Sequence, residues 1–141
     1  MDSLPSGTNT VGSATAGPSL NPEMDLDIDV TRLEAEFRHF PAVFYRYYKE
    51  KAKLSLIRDT AKAKLKEVRA LAYKAVKSDI TVKHTEKSIE AEVEIHPTVL
   101  EAQKKLLRAE HDAATLDGAV DSMSAKKDML MQLGAHSRKE R

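Results

Sequence analysis

Between Pro41 and Val76 no glycine or proline interrupts the chain, and Tyr47, Leu54, Ile57, Ala61, Leu65, Val68 and Ala72 recur at steps of three, four or seven residues. At about 100° per residue these positions share one narrow face of an α-helix. A second series, Val99, Ala102, Leu106, Ala109, Ala113, Leu116, Val120, Met123 and Leu130, keeps a 3–4 stagger close to a heptad seam, with Lys127 as its one polar member. Two narrow apolar stripes of this length leave little choice of fold. They predict long helices lying against each other, not a sheet or a deep globular core. Composition agrees: aromatic residues are 5% of the 141, charged residues 32%, and tryptophan is absent. Such a pair buries little by itself, so self-association is the natural way to bury more.

The remaining segments frame these helices. Residues 1–26 are dominated by Ser, Thr, Gly, Ala and Pro towards the start, and are expected to be a disordered arm. MDLDIDV reads either as a short strand or as an acidic lead into a helix, with Asp29 or Thr31 as N-cap. Pro41 is expected to break or kink whatever precedes it. Ser78 and Asp79 end the basic helix, and ITVKHT reads as an extended connection. In TEKSIEAEVEIHP the alternation of Ile89, Ala91, Val93 and Ile95 with glutamates suits a strand. Thr85 as a cap and the four-residue step from Ile89 to Val93 suit a short helix, which is the preferred reading. Pro97 opens the last helix, Gly134 is placed as its C-cap, and residues 138–141 form a frayed basic tail. The expected architecture is all-α: a long antiparallel helical hairpin over residues 27–137, with a short connecting helix or extended segment, assembling as a homo-oligomer.

Charge is segregated. Residues 1–43 carry net −5, residues 44–77 net +8, and residues 78–141 net −2. An ordinary solvated helix interleaves acids and bases to gain i,i+4 pairs worth about 0.2–0.5 kcal/mol each. Eleven bases against three acids in residues 44–77 give that up and add self-repulsion. This is the pattern of a surface that meets a polyanion. The other reading is that the basic segment pairs with the acidic ones, within or between chains. In FYRYYKEKAK, rings stand among the bases: Tyr47 falls on the apolar face and Phe44 is assigned to packing, whereas Tyr45, Tyr48 and Tyr73 point elsewhere, to stack on bases or to pack on a neighbour. Gly118 inside a helical stretch marks a close helix–helix approach or a tolerated defect.

Several function classes find no support in the residues. With no cysteine there is neither a disulfide framework nor a thiolate site. The five histidines are scattered, with no HExxH, so no metal is expected. There is no glycine-rich phosphate loop and no nucleophile–base pair, so no cofactor and no enzymatic activity are expected. The N-terminal stretch lacks the basic and apolar regions of a secretory signal, and no apolar run reaches the length of a membrane span. A soluble intracellular protein is expected.

The run DVTRLEAEF, the aromatic–basic FYRYYKEKAK, the lysine-rich helix, TEKSIEAEVEIHP and DGAVDSMSAKKDMLMQLGAHSRKE, in that order, resemble the UvsY-type recombination mediator family of tailed phages, over residues 27–140. The resemblance implies a small, helical, ring-forming homo-oligomer in the host cell cytoplasm. Such a protein binds single-stranded DNA and helps a RecA-like recombinase displace single-strand-binding protein and nucleate its filament. It implies DNA contacts in the basic helix, carried to Lys62, Lys64, Lys66, Arg69 and Lys74 in KAKLKEVRALAYK; the bases Arg46, Lys49 and Lys51 of the aromatic–basic run join them as candidates. The alternatives are a structural coiled-coil virion or assembly protein, and a basic amphipathic helix lying on an anionic membrane surface.

Overall fold

A computed structural model of the chain describes residues 20–79 and 85–140. Among them, regular structure is entirely helical: α1 (Pro22–Leu26), a 3₁₀ turn (Val30–Arg32), α2 (Leu33–Lys77), α3 (Glu86–Ile95) and α4 (Pro97–Lys139). The short α1 takes in residues that composition assigns to the arm; residues 1–19 and the ITVKH stretch lie outside the described residues. At about 1.5 Å per residue, α2 and α4 each extend for about 65 Å.

The two apolar stripes explain how these helices meet. Leu65, Ala72 and Val76 near the end of α2 cluster with Ile89 and Val93 of α3 and with Val99 and Ala102 at the start of α4. Phe40 and Tyr47 near the start of α2 cluster with Leu116, Val120, Met123 and Leu130 towards the end of α4. The long helices therefore run in opposite directions. Every apolar member of the second series is buried except Leu106, which packs partly buried against the first cluster. In the first series, Ile57 departs from the expected face and is exposed.

α3 is the helix that its cap announces. The Thr85 hydroxyl accepts the Ser88 N–H at 3.3 Å, and the Ser88 hydroxyl accepts the Thr85 N–H at 3.0 Å, a reciprocal capping box. Only Ile89 and Val93 are buried, whereas Ile95 is exposed, so the alternating pattern of that stretch is not used. His96 then caps α4, its Nδ1 accepting the Thr98 N–H at 3.3 Å, with Pro97 at the first helical position.

Three expectations are corrected. Pro41 does not end a helix: α2 begins at Leu33 and passes through it. A proline inside a helix sacrifices a backbone hydrogen bond and costs about 3 kcal/mol. Here the turns on both sides are held by burial, with Leu33, Phe40, Val43 and Phe44 all packed on the second cluster. Gly134 is not a C-cap, because α4 continues to Lys139 and no glycine among the described residues has positive φ. The same continuation makes Arg138 and Lys139 helical and not a frayed tail. What Gly134 provides is room: a Cβ there would sit 2.8 Å from Cζ of Phe37. Among the described residues Gly118 has no such neighbour, nothing lying within 4 Å of its would-be Cβ, so no close approach among them accounts for it. Gly118→Ala is therefore expected to raise the unfolding free energy by about 1 kcal/mol in urea denaturation, the helix-propensity difference.

The N-terminal segment is tied to the helix pair through one buried lysine. Lys126 Nζ donates to the carbonyls of Asp25 at 2.6 Å and Asp27 at 3.0 Å, and lies 3.1 Å from Glu36 Oε2. Its side chain is 8% exposed. Lys127, the residue expected in the seam, is exposed instead. The seam slips by one position because Lys126 turns towards the N-terminal segment, where carbonyls and a carboxylate satisfy its charge. Beside it, the Tyr47 hydroxyl donates to Asp25 Oδ2 at 2.7 Å. Burial first, and then the Asp25 carboxylate, push the Tyr47 phenol well above the usual tyrosine range. The folded chain holds the phenolic proton more tightly than the unfolded chain does. The resulting stability is complete below about pH 10 and is lost as pH rises beyond it. Tyr47→Phe is expected to lose less stability than the parent between pH 9 and pH 11, read from urea midpoints.

Candidate nucleic-acid interface

A rotation of about 100° per residue sorts the bases of α2 into two flanks beside the buried stripe. Lys51, Lys62, Lys66 and Arg69 fall on one flank, with Tyr48 and Tyr73. Lys62, Lys66 and Arg69 lie one turn apart in succession, so their side chains form a line. Arg46 and Lys64 fall on the opposite flank, with Lys53. Lys49 and Lys74 point away from the core. The eight candidate residues are thus on one helix but not on one track. Lys77, which is not among the eight, extends the first line past Tyr73; its signal in the sequence is its spacing of eight residues from Arg69.

Partners separate these cations further. Lys51 Nζ lies 3.6 Å from Asp117 of α4, Lys53 Nζ 3.9 Å from Glu50, Arg58 Nε 3.2 Å from Asp59, Lys64 Nζ 3.6 Å from Glu67 and Arg69 Nε 3.1 Å from Glu94 of α3. Glu94 also accepts from Gln103 at 3.0 Å, which fixes the carboxylate beside Arg69. Among the described residues, Arg46, Lys49, Lys62, Lys66, Lys74 and Lys77 have no carboxylate within ion-pair distance. The pairs at Lys51 and Arg69 join side chains that are 40–51% exposed. Exposed pairs of this kind contribute about 0–1 kcal/mol, so a phosphate can displace the carboxylate at little cost.

The rings divide along the same lines. Phe44 packs on the second cluster, its centroid 5.3 Å from Phe40 and 4.8 Å from Tyr48. Tyr45 and Tyr48 are exposed, and Lys49 Nζ stands 5.5 Å from the Tyr45 ring. Tyr73 is not a free ring among bases. It packs against the first cluster, and its hydroxyl donates to Glu86 at 3.1 Å, an interaction that raises its phenol above the usual range. Glutamates of α3 thus reach the distal half of the cationic line, at Arg69 and Tyr73, and leave Lys62 and Lys66 clear.

Among the described residues there is no cluster of three histidine or carboxylate side chains able to hold a metal, and no helix long and apolar enough to cross a membrane. What the geometry defines is a protein of two long antiparallel helices carrying a partly open cationic flank. No protein-family model, curated protein or solved structure matches the chain.

Proposed function

We propose that the chain is a non-enzymatic recombination mediator: a homo-oligomer of helical hairpins that binds single-stranded DNA and helps a RecA-like recombinase displace single-strand-binding protein. The observation that carries the reading is the line of Lys62, Lys66 and Arg69 on one flank of α2, whose first two members have no carboxylate partner among the described residues. Single-strand binding needs cations that track a backbone and tolerate any base sequence, and it needs little else. Several weak sites on one assembly combine into a tight one through effective concentration. Bending or wrapping the strand over these flanks weakens the hold of the competing protein and offers free strand to the recombinase. Residues 27–140, through their resemblance to the mediator family, supply the recombinase and binding-protein partners in this reading.

The test is recombinase ATPase activity on single-stranded DNA already coated with single-strand-binding protein. Addition of the chain is expected to shorten the lag before steady hydrolysis. An unchanged lag over a range of concentrations removes the mediator role, whatever the DNA affinity.

A second reading has its own support. Five of the eleven bases between residues 44 and 77 already stand beside carboxylates, two of these from α3 and α4. That is the arrangement of a structural coiled-coil protein whose basic helix is matched internally. Under this reading no oligonucleotide binds at low salt.

A further inference from the structure

Beside the stripe that packs on α4, helix α2 carries a second one. Ile57, Ala61, Lys64, Val68, Leu71 and Ala75 follow one another at steps of four, three, four, three and four. Ala61 and Val68 lie at the edge of the intramolecular contact, while Ile57 and Leu71 are 46% and 58% exposed. The stripe forms one wall of an apolar groove of about 370 Å³ whose other wall is Pro97, Thr98, Glu101 and Lys105 of α4. A second depression, reaching Leu71, Ala75 and His96, continues it towards the end of α2. A regular 3–4 stagger is the seam of a coiled coil, and a helix carrying two adjacent seams is built to pack on two neighbours.

We propose that this groove takes α2 of a second copy of the chain, antiparallel, about a two-fold axis at the level of residue 66. Two observations select that occupant. The first is steric. Turning the stripe end for end about residue 66 sets Ile57 against Ala75 of the second copy, Ala61 against Leu71, and Lys64 against Val68. Each layer then opposes a bulky side chain to a smaller one or to a flexible stem, as close packing requires. A parallel, in-register pair would instead set Ile57 on Ile57, Leu71 on Leu71 and Lys64 on Lys64. The second is electrostatic. The stripe and its borders hold Lys64 and Lys105 with Glu67 and Glu101, so the surface carries both signs. The two-fold brings Lys64 of each copy to the level of Val68 of the other, one residue from Glu67. A surface of balanced charge complements itself, whereas a polyanion would meet two carboxylates. The contact is isologous, and it leaves the flank of Lys62, Lys66 and Arg69 outside. Lys64 accordingly belongs to this contact and not to the DNA line.

The chain has no cysteine, which makes the test direct. Full-length Ile57→Cys and Ala75→Cys chains are prepared separately, mixed without nucleic acid and treated with a short bismaleimide. A cross-linked dimer is expected in the mixture and not in either variant alone. In light scattering the parent is expected at no less than twice 15.7 kDa. Leu71→Glu, at an exposed position, is expected to keep the helical circular dichroism of the parent. It should raise the concentration for half-association at least about a hundredfold, because each copy brings an unpaired carboxylate into the contact. A Leu71→Glu assembly equal in mass to the parent, cross-linking of each variant alone as fully as the mixture, or protection of the Ile57→Cys thiol only when DNA is added would each overturn the proposal. Because DNA is absent from the first two measurements, their failure leaves single-strand binding itself untouched, although a monomeric parent would also remove the homo-oligomer that the proposed function assumes.

Discussion

Lys126→Ala is expected to lower the unfolding free energy by about 3 kcal/mol, the cost of removing one partner from a buried ion pair. The ammonium serves three acceptors at once: the Asp25 and Asp27 carbonyls and the Glu36 carboxylate, whose side chain is 20% exposed. Truncation takes the ammonium from all three, leaving Glu36 with the Asp29 N–H at 3.2 Å, and opens a cavity beneath Phe40, whose ring centroid lies 6.0 Å from the ammonium. Lys126→Met separates the two causes. It keeps most of the side-chain volume, so if the stranded acceptors dominate, it loses nearly as much stability as alanine. Urea denaturation of parent, Lys126→Ala, Lys126→Met and Glu36→Gln/Lys126→Met measures this. The double variant is expected to recover part of the loss, because the uncompensated carboxylate is gone. Equal midpoints for parent and Lys126→Ala would mean that the N-terminal segment is not clasped as described.

Replacing Lys62, Lys66 and Arg69 together by glutamine is expected to weaken single-strand binding about ten- to a hundredfold at 50 mM salt. It should also flatten the dependence of log affinity on log salt by about 2, at roughly 0.7 for each phosphate no longer neutralised. Glutamine keeps helix propensity, and surface changes of this kind usually alter stability by less than about 0.5 kcal/mol, so the effect is on binding and not on folding. The Arg69–Glu94 pair contributes at most about 1 kcal/mol to the fold because both groups are half exposed. A charge-matched control separates a defined track from general attraction: Lys104, Arg108 and Lys127 changed to glutamine on α4 remove the same charge elsewhere. That control is expected to move affinity and slope less. Equal effects of the two triple variants, measured by anisotropy across a salt series, would dissolve the flank into net charge.

The helical architecture was legible because apolar spacing is a local property of the chain. The series through Leu65 and Ala72, and the one from Val99 to Leu130, mark faces that the fold buries. Thr85 announced α3 through a cap that needs only neighbouring residues, and the structure adds Ser88 as its reciprocal partner. What was not legible depends on partners distant in sequence. Pro41 reads as a breaker until the packing of Leu33 and Phe40 on both sides of it is known. Gly134 reads as a cap until Phe37, nearly a hundred residues earlier, is found against it. Lys126 and Lys127 are indistinguishable by type, and only the carbonyls of Asp25 and Asp27 choose between them. The candidate site shows the same division. The surplus of bases on α2 is visible in the sequence, but a count by segment ignores rotation about the helix. Such a count joins Lys64 and Arg46 to a line from which they face away, and it cannot show that Lys77 extends that line or that Glu86 takes the Tyr73 hydroxyl.

The most direct test of the central claim, that an open cationic flank on α2 meets a polyanion, is a fluorescence-anisotropy titration of a labelled single-stranded oligonucleotide at 50 and 200 mM salt. Saturable binding at 50 mM that weakens steeply at 200 mM is the expected result. No binding at 50 mM, or binding indifferent to salt, would contradict the account.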